Sequence, residues 1–410
     1  MRGGHKFWRD TALLALIAAA VRLIFLLLLP AGVASVDLHS WQTVAGELRA
    51  GRNPYHTTPF LNWPPLWMQI IAAIDNASQM LRIPFTTLLR LFLIAADVTG
   101  VVAAHRLAVF IDAKKPRTII LLGLALNPIS ILLVCQHANF DTLVALAVML
   151  AVSAVLRFER SGNPVDWLYA ALATGFGILA KTIPIILFPL LSVRWKTLDD
   201  RTRLLGALLL IGPVALGLSI VFALAPADIL QKVIQYRSLG GVFGISGILA
   251  ASVSPFAGRI VRIVLLVLLA AIVVGAVLKT ARRDFNDSRS LILLAAFLLI
   301  AIILFGPGYG PQYIAWFLPL LVVMATSFDS AWRRILMLWA VIAVLTYLAE
   351  YLLLQSHGAL LLHLFPHGDF AWTNVFVKSS WLTLLRLPLF LAYCALWGKA
   401  AALLTRTESR

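Results

Sequence analysis

The chain has 410 residues, 61% hydrophobic and only 13% charged, with a mean hydropathy of +0.92. A soluble domain is about half apolar and a quarter charged, so this composition excludes one and implies a polytopic membrane protein. The net charge of +16 would suggest nucleic acid in a soluble chain, but in a membrane protein it reflects Lys and Arg gathered in cytoplasmic loops.

The first 35 residues join a basic head to a long apolar run and end in small residues, as a cleaved signal peptide would. The apolar part is too long for one and carries Arg22, which favours an uncleaved signal anchor. Apolar runs predict spans near 10–30, 87–110, 119–135, 140–157, 166–180, 183–193, 203–225, 260–279, 290–305, 312–327, 335–355 and 380–402. The fifth and sixth are short and interrupted by Pro184 and Pro189, the pattern of a broken pair lining a cavity. Together these predict one all-α integral membrane domain, 1–410, with about 11–13 transmembrane helices. Cys135 and Cys394 lie in apolar surroundings and imply no disulfide framework.

With these spans, 21 of the 34 Lys and Arg fall in loops on one side and nine on the other, which places both termini in the cytoplasm. That parity requires 64–81, with Asp75, Asn76 and Gln79, to lie in the interface rather than cross. The outer face then holds a long first loop with interfacial helices (31–86), the short turn CQHANFD (135–141), and loops 226–258 and 355–381. Six of the eight histidines fall there. The inner loops read as basic tethers, so chemistry is expected outside.

In the first loop Asp37 follows the first span closely, where a carboxylate beside a low-dielectric wall suits acid–base work. The same acid could instead cap a helix, because DLHSWQTVAGELRAG has amphipathic spacing and Gly51 as its stop. Trp63 and Trp67 suit interfacial anchoring, and Pro64-Pro65 suits re-entry. Asp141 could bind a ligand or cap the span that follows it. Lys181, between two short spans, and Arg386, inside the last one, are costly there and are functional candidates, with snorkelling as the alternative. Asp97 and Arg106 should find interhelical partners. His363 and His367 are separated by Pro366 and make a poor metal pair, and GFGILAKT lacks the final glycine of a phosphate loop before Lys181 and sits in a span.

An Asp after the first span, Trp41 four residues on, then GRNPY and NWPPLW, resembles the first outer loop of the GT-C glycosyltransferases, membrane enzymes that use polyprenyl-phosphate sugars. NPISILLVCQHANFDTLVALAVMLAV, AKTIPIILFPLL and GPGYGPQYIAWFLPLL are similar to later segments of bacterial mannosyltransferase-like members, in the same order, over roughly residues 30 to 320.

The resemblance implies a GT-C-like bundle and transfer of a sugar, mannose first, to a lipid, glycan or protein acceptor. It places the enzyme in a bacterial inner membrane with the active site extracytoplasmic. It makes Asp37 the general base. Lys181, Arg237, Gln312, Tyr313 and Arg386 become candidates for the donor phosphate and sugar. His39, Trp41, Tyr55, Trp63 and Asp141 become candidates for acceptor or sugar. Some members carry Asp-x-Asp or Asp-x-Glu in this loop, whereas this chain reads Asp37-Leu38-His39. No cofactor is therefore expected and a divalent metal is not favoured, although His39 could stand in as a ligand. A transporter or lipid flippase is the rival, but internal repeats are not visible and the polar groups gather at one face. A lipid-diphosphate glycan polymerase or ligase is the third reading.

Overall fold

The computed structural model describes residues 2–28, 35–59, 61, 63–234, 255–282, 288–306, 310–350 and 381–406. All regular structure among them is helical. The long helices are α1 (Arg2–Leu28), α5 (Phe85–Phe110), α8 (Asp141–Ser161), α9 (Pro164–Ala180), α11 (Asp200–Leu224), α13 (Pro255–Arg282), α14 (Ser288–Phe305), α16 (Ser330–Glu350) and α17 (Trp381–Arg406). Shorter pieces connect them: α2 (Val36–Arg49), α3 (Pro54–Thr57), α4 (Pro65–Leu81), α6 (Pro116–Ile120), α7 (Pro128–Leu132), α10 (Phe188–Leu191), α12 (Pro226–Ile229) and α15 (Leu318–Val323).

Among the described residues eight helices are long and apolar enough to cross a membrane, or nine if the bent pair Pro116–Ala125 and Pro128–His137 is one span. The other three apolar runs of the sequence fold as shorter pieces. Residues 166–180 lie in the 17-residue α9, 183–193 form a 3-10 turn and α10, and 312–327 form a 3-10 turn and α15. Pro184 and Pro189 explain the second of these, since proline removes a backbone donor and clashes with the preceding turn.

The centre of the bundle is α8, packed on α5 and α9, with α9 in turn packed on α11 and α5 on α1. Gly175 permits the α9–α11 approach, because a Cβ there would lie 2.6 Å from the Leu210 carbonyl oxygen. A buried ion pair anchors the bent pair. Arg22 reaches Asp97 at 2.5 Å and donates to Ser130 and to the carbonyls of Leu124 and Ala125. These carbonyls close a π-helical turn, which leaves oxygens that a straight helix would have occupied. Arg106 lies over the Trp8 ring at 5.4 Å, so Asp97 and Arg106 both have interhelical partners.

The segment 35–81 forms a helical layer on one end of the bundle. In it α2 packs on α4 through a bidentate contact of Arg49 with Asp75 (3.0 and 2.7 Å), and α4 rests on α5, α9 and α11. Gly51 ends α2 with φ +68°, the left-handed conformation glycine adopts without strain. Trp67 departs from the anchoring expected of it. It is fully buried and stacks on Phe140 at 4.7 Å, because α4 lies face down on the turn 137–141.

Candidate functional site

The start of α2 decides what Asp37 can do. Ser35 is the N-cap, its hydroxyl accepting from the Leu38 amide at 3.0 Å and donating to the His137 carbonyl at 2.6 Å. Asp37 is therefore not needed as the cap. It sits in the first helical turn, where unpaired amides favour negative charge. Its Oδ2 receives Asn139 Nδ2 at 2.6 Å and faces His137 Nε2 at 2.8 Å. Since a carboxylate can only accept, Nε2 carries the hydrogen in this contact. Oδ1 takes no hydrogen bond from any described residue. The side chain is 28% exposed, whereas that of His137 is 2% exposed. Partial burial pushes the Asp37 carboxyl up, but the opposing pull of His137, Asn139 and the nearby Lys181 outweighs it and holds the group below its ordinary value.

The turn that presents His137 and Asn139 is an irregular piece of backbone. Residues Leu133–His137 form a π-helical turn and Ala138 has φ +52°, a conformation costing a non-glycine residue about 1–2 kcal/mol. Several contacts hold it. Trp41 Nε1 donates to the Ala138 carbonyl at 3.1 Å, Asn139 Oδ1 accepts from the Asp141 amide at 2.8 Å, and Phe140 is buried against Trp41, Trp63 and Trp67.

Across the turn lies the second carboxylate, Asp141, at the first position of α8. Its Oδ1 accepts from Lys181 Nζ at 2.6 Å, and the two side chains are 0% and 4% exposed. Lys181 reaches it because α9 ends at Ala180 and the backbone becomes extended at Lys181. The ammonium also lies over the rings of Trp63 (4.5 Å), Tyr313 (4.6 Å), Trp316 (4.9 Å) and Phe140 (5.4 Å). Such an aromatic enclosure stabilises a desolvated cation through the ring quadrupoles. Asp141 thus serves neither as a helix cap nor as an open acid.

The residues chosen from sequence divide accordingly. Asp37, Lys181, Asp141, Trp63 and Tyr313 are brought together, and Gln312 is the half-buried neighbour of Tyr313 on the 3-10 turn Pro311–Trp316. Trp41 and Tyr55 are fully buried supports. Trp41 holds the turn, and the Tyr55 hydroxyl donates to the Trp63 carbonyl at 2.6 Å. His39 is exposed and sits two residues from Asp37, about 200° around the helix, so the two do not converge. Arg386 is engaged by Glu350 at 2.5 and 3.0 Å inside the helical bundle, which answers its burial better than snorkelling. The buried Tyr347 lies within electrostatic reach of Asp37, Asp141 and Glu350. Arg237, His363, His367 and loop 355–380 lie outside the described residues. His137, Asn139 and Trp316 were not singled out from sequence. The first two flank a helix start in CQHANFD, and only their joint use of one carboxylate oxygen reveals them.

An apolar groove of about 410 Å³ adjoins the site. It begins between Leu66, Leu143 and Ala180, the neighbours of Trp67, Asp141 and Lys181, and continues between α8 and α9 past Phe176 to Tyr169 and Arg157. From Leu143 to Arg157 the helix rises about 21 Å, most of the depth of a hydrocarbon core.

No protein-family profile and no curated protein matches the chain. Among solved structures it is similar to the crystal structure of ArnT from Cupriavidus metallidurans bound to undecaprenyl phosphate. The TM-score is 0.51 and the sequence identity 13%, over 94% of this chain and 77% of that one. At such identity the likeness is one of fold, and on it the chain is an all-α polytopic membrane protein built like ArnT.

Proposed function

We propose that the protein is a glycosyltransferase of the GT-C kind. It moves a sugar, mannose first among the candidates, from a polyprenyl-phosphate carrier to a lipid, glycan or protein acceptor at the extracytoplasmic surface. The observation that carries this reading is Asp37, a half-open carboxylate with one oxygen held by two donors and the other unclaimed, beside a buried cation and the mouth of a membrane-depth apolar groove. The bound undecaprenyl phosphate in ArnT, whose fold this chain shares, supports a carrier lipid of the same class.

In the reaction Asp37 takes the proton of an acceptor hydroxyl as its oxygen attacks the anomeric carbon on the face opposite the phosphate. The carbon–oxygen bond to the phosphate breaks, and its electron pair leaves on the polyprenyl phosphate, inverting the centre. A placed base contributes about 10²–10⁴-fold. The gathering charge on the phosphate needs cations, and we assign Lys181 and Arg237 to it, with Gln312 and Tyr313 contacting the sugar or phosphate. Lys181 would share its ammonium between Asp141 and the phosphate. Arg386, paired with Glu350, is the weakest of the proposed cations.

The test is incubation of purified protein with labelled polyprenyl-phosphate mannose, glucose and arabinose. Transfer or slow hydrolysis of one of these by the wild type, and none by Asp37→Asn, is expected. No turnover of any of the three, or full turnover by Asp37→Asn, overturns the reading.

A further inference from the structure

We infer that His137 is a positioning residue for Asp37, fixing Oδ2 together with Asn139 so that Oδ1 alone meets the acceptor hydroxyl. The inference rests on the proposed role of Asp37 as base and adds the groups that orient it.

Three observations carry it. First, both donors converge on the same oxygen, at 2.6 and 2.8 Å, rather than one on each. A carboxylate held this way cannot rotate to exchange its oxygens without losing both contacts. Second, the backbone bearing these donors is itself constrained. The His137 carbonyl accepts from Ser35 and the Ala138 carbonyl from Trp41, both on the segment that carries Asp37. The turn and the start of α2 therefore form one unit, closed by four contacts within residues 35–41 and 137–139. Third, His137 is sealed from solvent while Asp37 is not, so the proton Asp37 collects leaves directly to water and His137 need not relay it.

Removing the His137 donor should do two things. Rotational freedom of the carboxylate should lower kcat, since misplacement of a reacting group costs on the order of 10²-fold. Loss of a donor that favours the charged form should also move the acid limb of kcat/KM upward. Lys181, Asp141 and Tyr347 also lie within electrostatic reach of Asp37 and stay unchanged in the variants below.

His137→Phe keeps a ring without a donor, and His137→Gln keeps a donor at the Nε2 position without the ring. Expected for His137→Phe is a ten- to hundredfold fall in kcat, an acid limb shifted up by about one pH unit, and a donor KM within twofold of wild type. His137→Gln should stay within a few-fold in kcat with its limb in place. The limb's position does not depend on how much protein folds, so partial unfolding of either variant does not mask it. An unmoved limb in His137→Phe, or equal damage in both variants, overturns the inference. If Asp37→Asn is inactive while that limb stays put, only the positioning role fails. If Asp37→Asn is active, the base assignment itself fails.

Discussion

Two carboxylates flank one five-residue turn and have been given opposite surroundings. Asp37 meets a polar clamp on one oxygen and is 28% exposed, whereas Asp141 is fully buried and meets at 2.6 Å a lysine whose ammonium lies over four aromatic rings. This buried ion pair joins the start of α8 to the end of α9, whatever contact Lys181 also makes with the proposed donor phosphate. Asp141 also keeps one oxygen without a hydrogen bond, but it is sealed, whereas the unclaimed oxygen of Asp37 belongs to a partly exposed side chain and is available for a proton. On the proposed reading the contrast separates the acid that acts from the acid that holds, although both lie in the first turn of a helix.

The comparison breaks most sharply at Asp37. Asp37→Asn should lower transfer by at least about a thousandfold, equivalent to roughly 4 kcal/mol of transition-state stabilisation, with the thermal unfolding midpoint in detergent nearly unchanged. Lys181→Ala should show the reverse emphasis. It leaves the Asp141 charge buried without its partner, a change that costs about 3–5 kcal/mol of stability, read as a lowered unfolding midpoint. Replacing both, Lys181→Met with Asp141→Leu, should restore much of that stability, since apolar side chains of similar volume commonly stand in for buried pairs. If the double variant is stable but loses donor affinity, Lys181 also contacts the phosphate. If it is stable with a normal donor titration, the pair is scaffold alone.

The pH dependence sharpens the same contrast. Partial burial raises the Asp37 carboxyl, but His137, Asn139 and Lys181 lower it further, so the basic form persists through the ordinary carboxylate range. The profile of kcat/KM should be flat from neutrality downwards and fall only below about pH 4. The sign for stability is the same. A depressed native value contributes stability that is complete above the unfolded value and is lost as pH falls through the folded one. An acid limb near pH 6 would contradict the clamp.

Much of this arrangement was readable from residue order, and the reasons differ from place to place. Helix content and most spans follow from apolar runs that no tertiary contact needs to override, and Asp37 stands out because it follows a long greasy segment. The α9–α10 break is signalled by Pro184 and Pro189. What could not be read is which acid is open. Asp37 and Asp141 both look like helix caps in sequence. Only the Ser35 hydroxyl, already bonded to the Leu38 amide, and the reach of Lys181 across 40 positions tell them apart. The burial of Trp67 was equally hidden, since interfacial tryptophans and tryptophans packed under an irregular turn share the same flanking prolines.

Smaller effects belong to the groove. Ala173→Phe places a ring against the walls formed by Leu146 and Leu150. It should raise donor KM about tenfold, the loss of roughly two buried methylenes, while kcat stays within twofold. A short-chain donor that does not reach this depth should be indifferent to the change. Equal effects on long and short donors would place the tail elsewhere.

The smallest expected effect is that of a chelator, and it depends on the geometry of α2. A divalent ion bridging base and phosphate would need a second ligand near Asp37, and the nearest candidate in sequence is His39. Two residues along an α-helix turn the side chain by about 200°, and His39 accordingly faces solvent while Asp37 faces the turn 137–141. Among the described residues no three His, Cys, Asp or Glu side chains gather as a metal site. His137 Nε2, the one imidazole nitrogen at the carboxylate, is engaged as a donor and cannot ligate at the same time. Turnover should therefore change by less than twofold in EDTA, measured with the same labelled donors. Complete loss that manganese restores would mean that the ion displaces the His137 contact, and the clamp on Oδ2 would then have to open in the working enzyme.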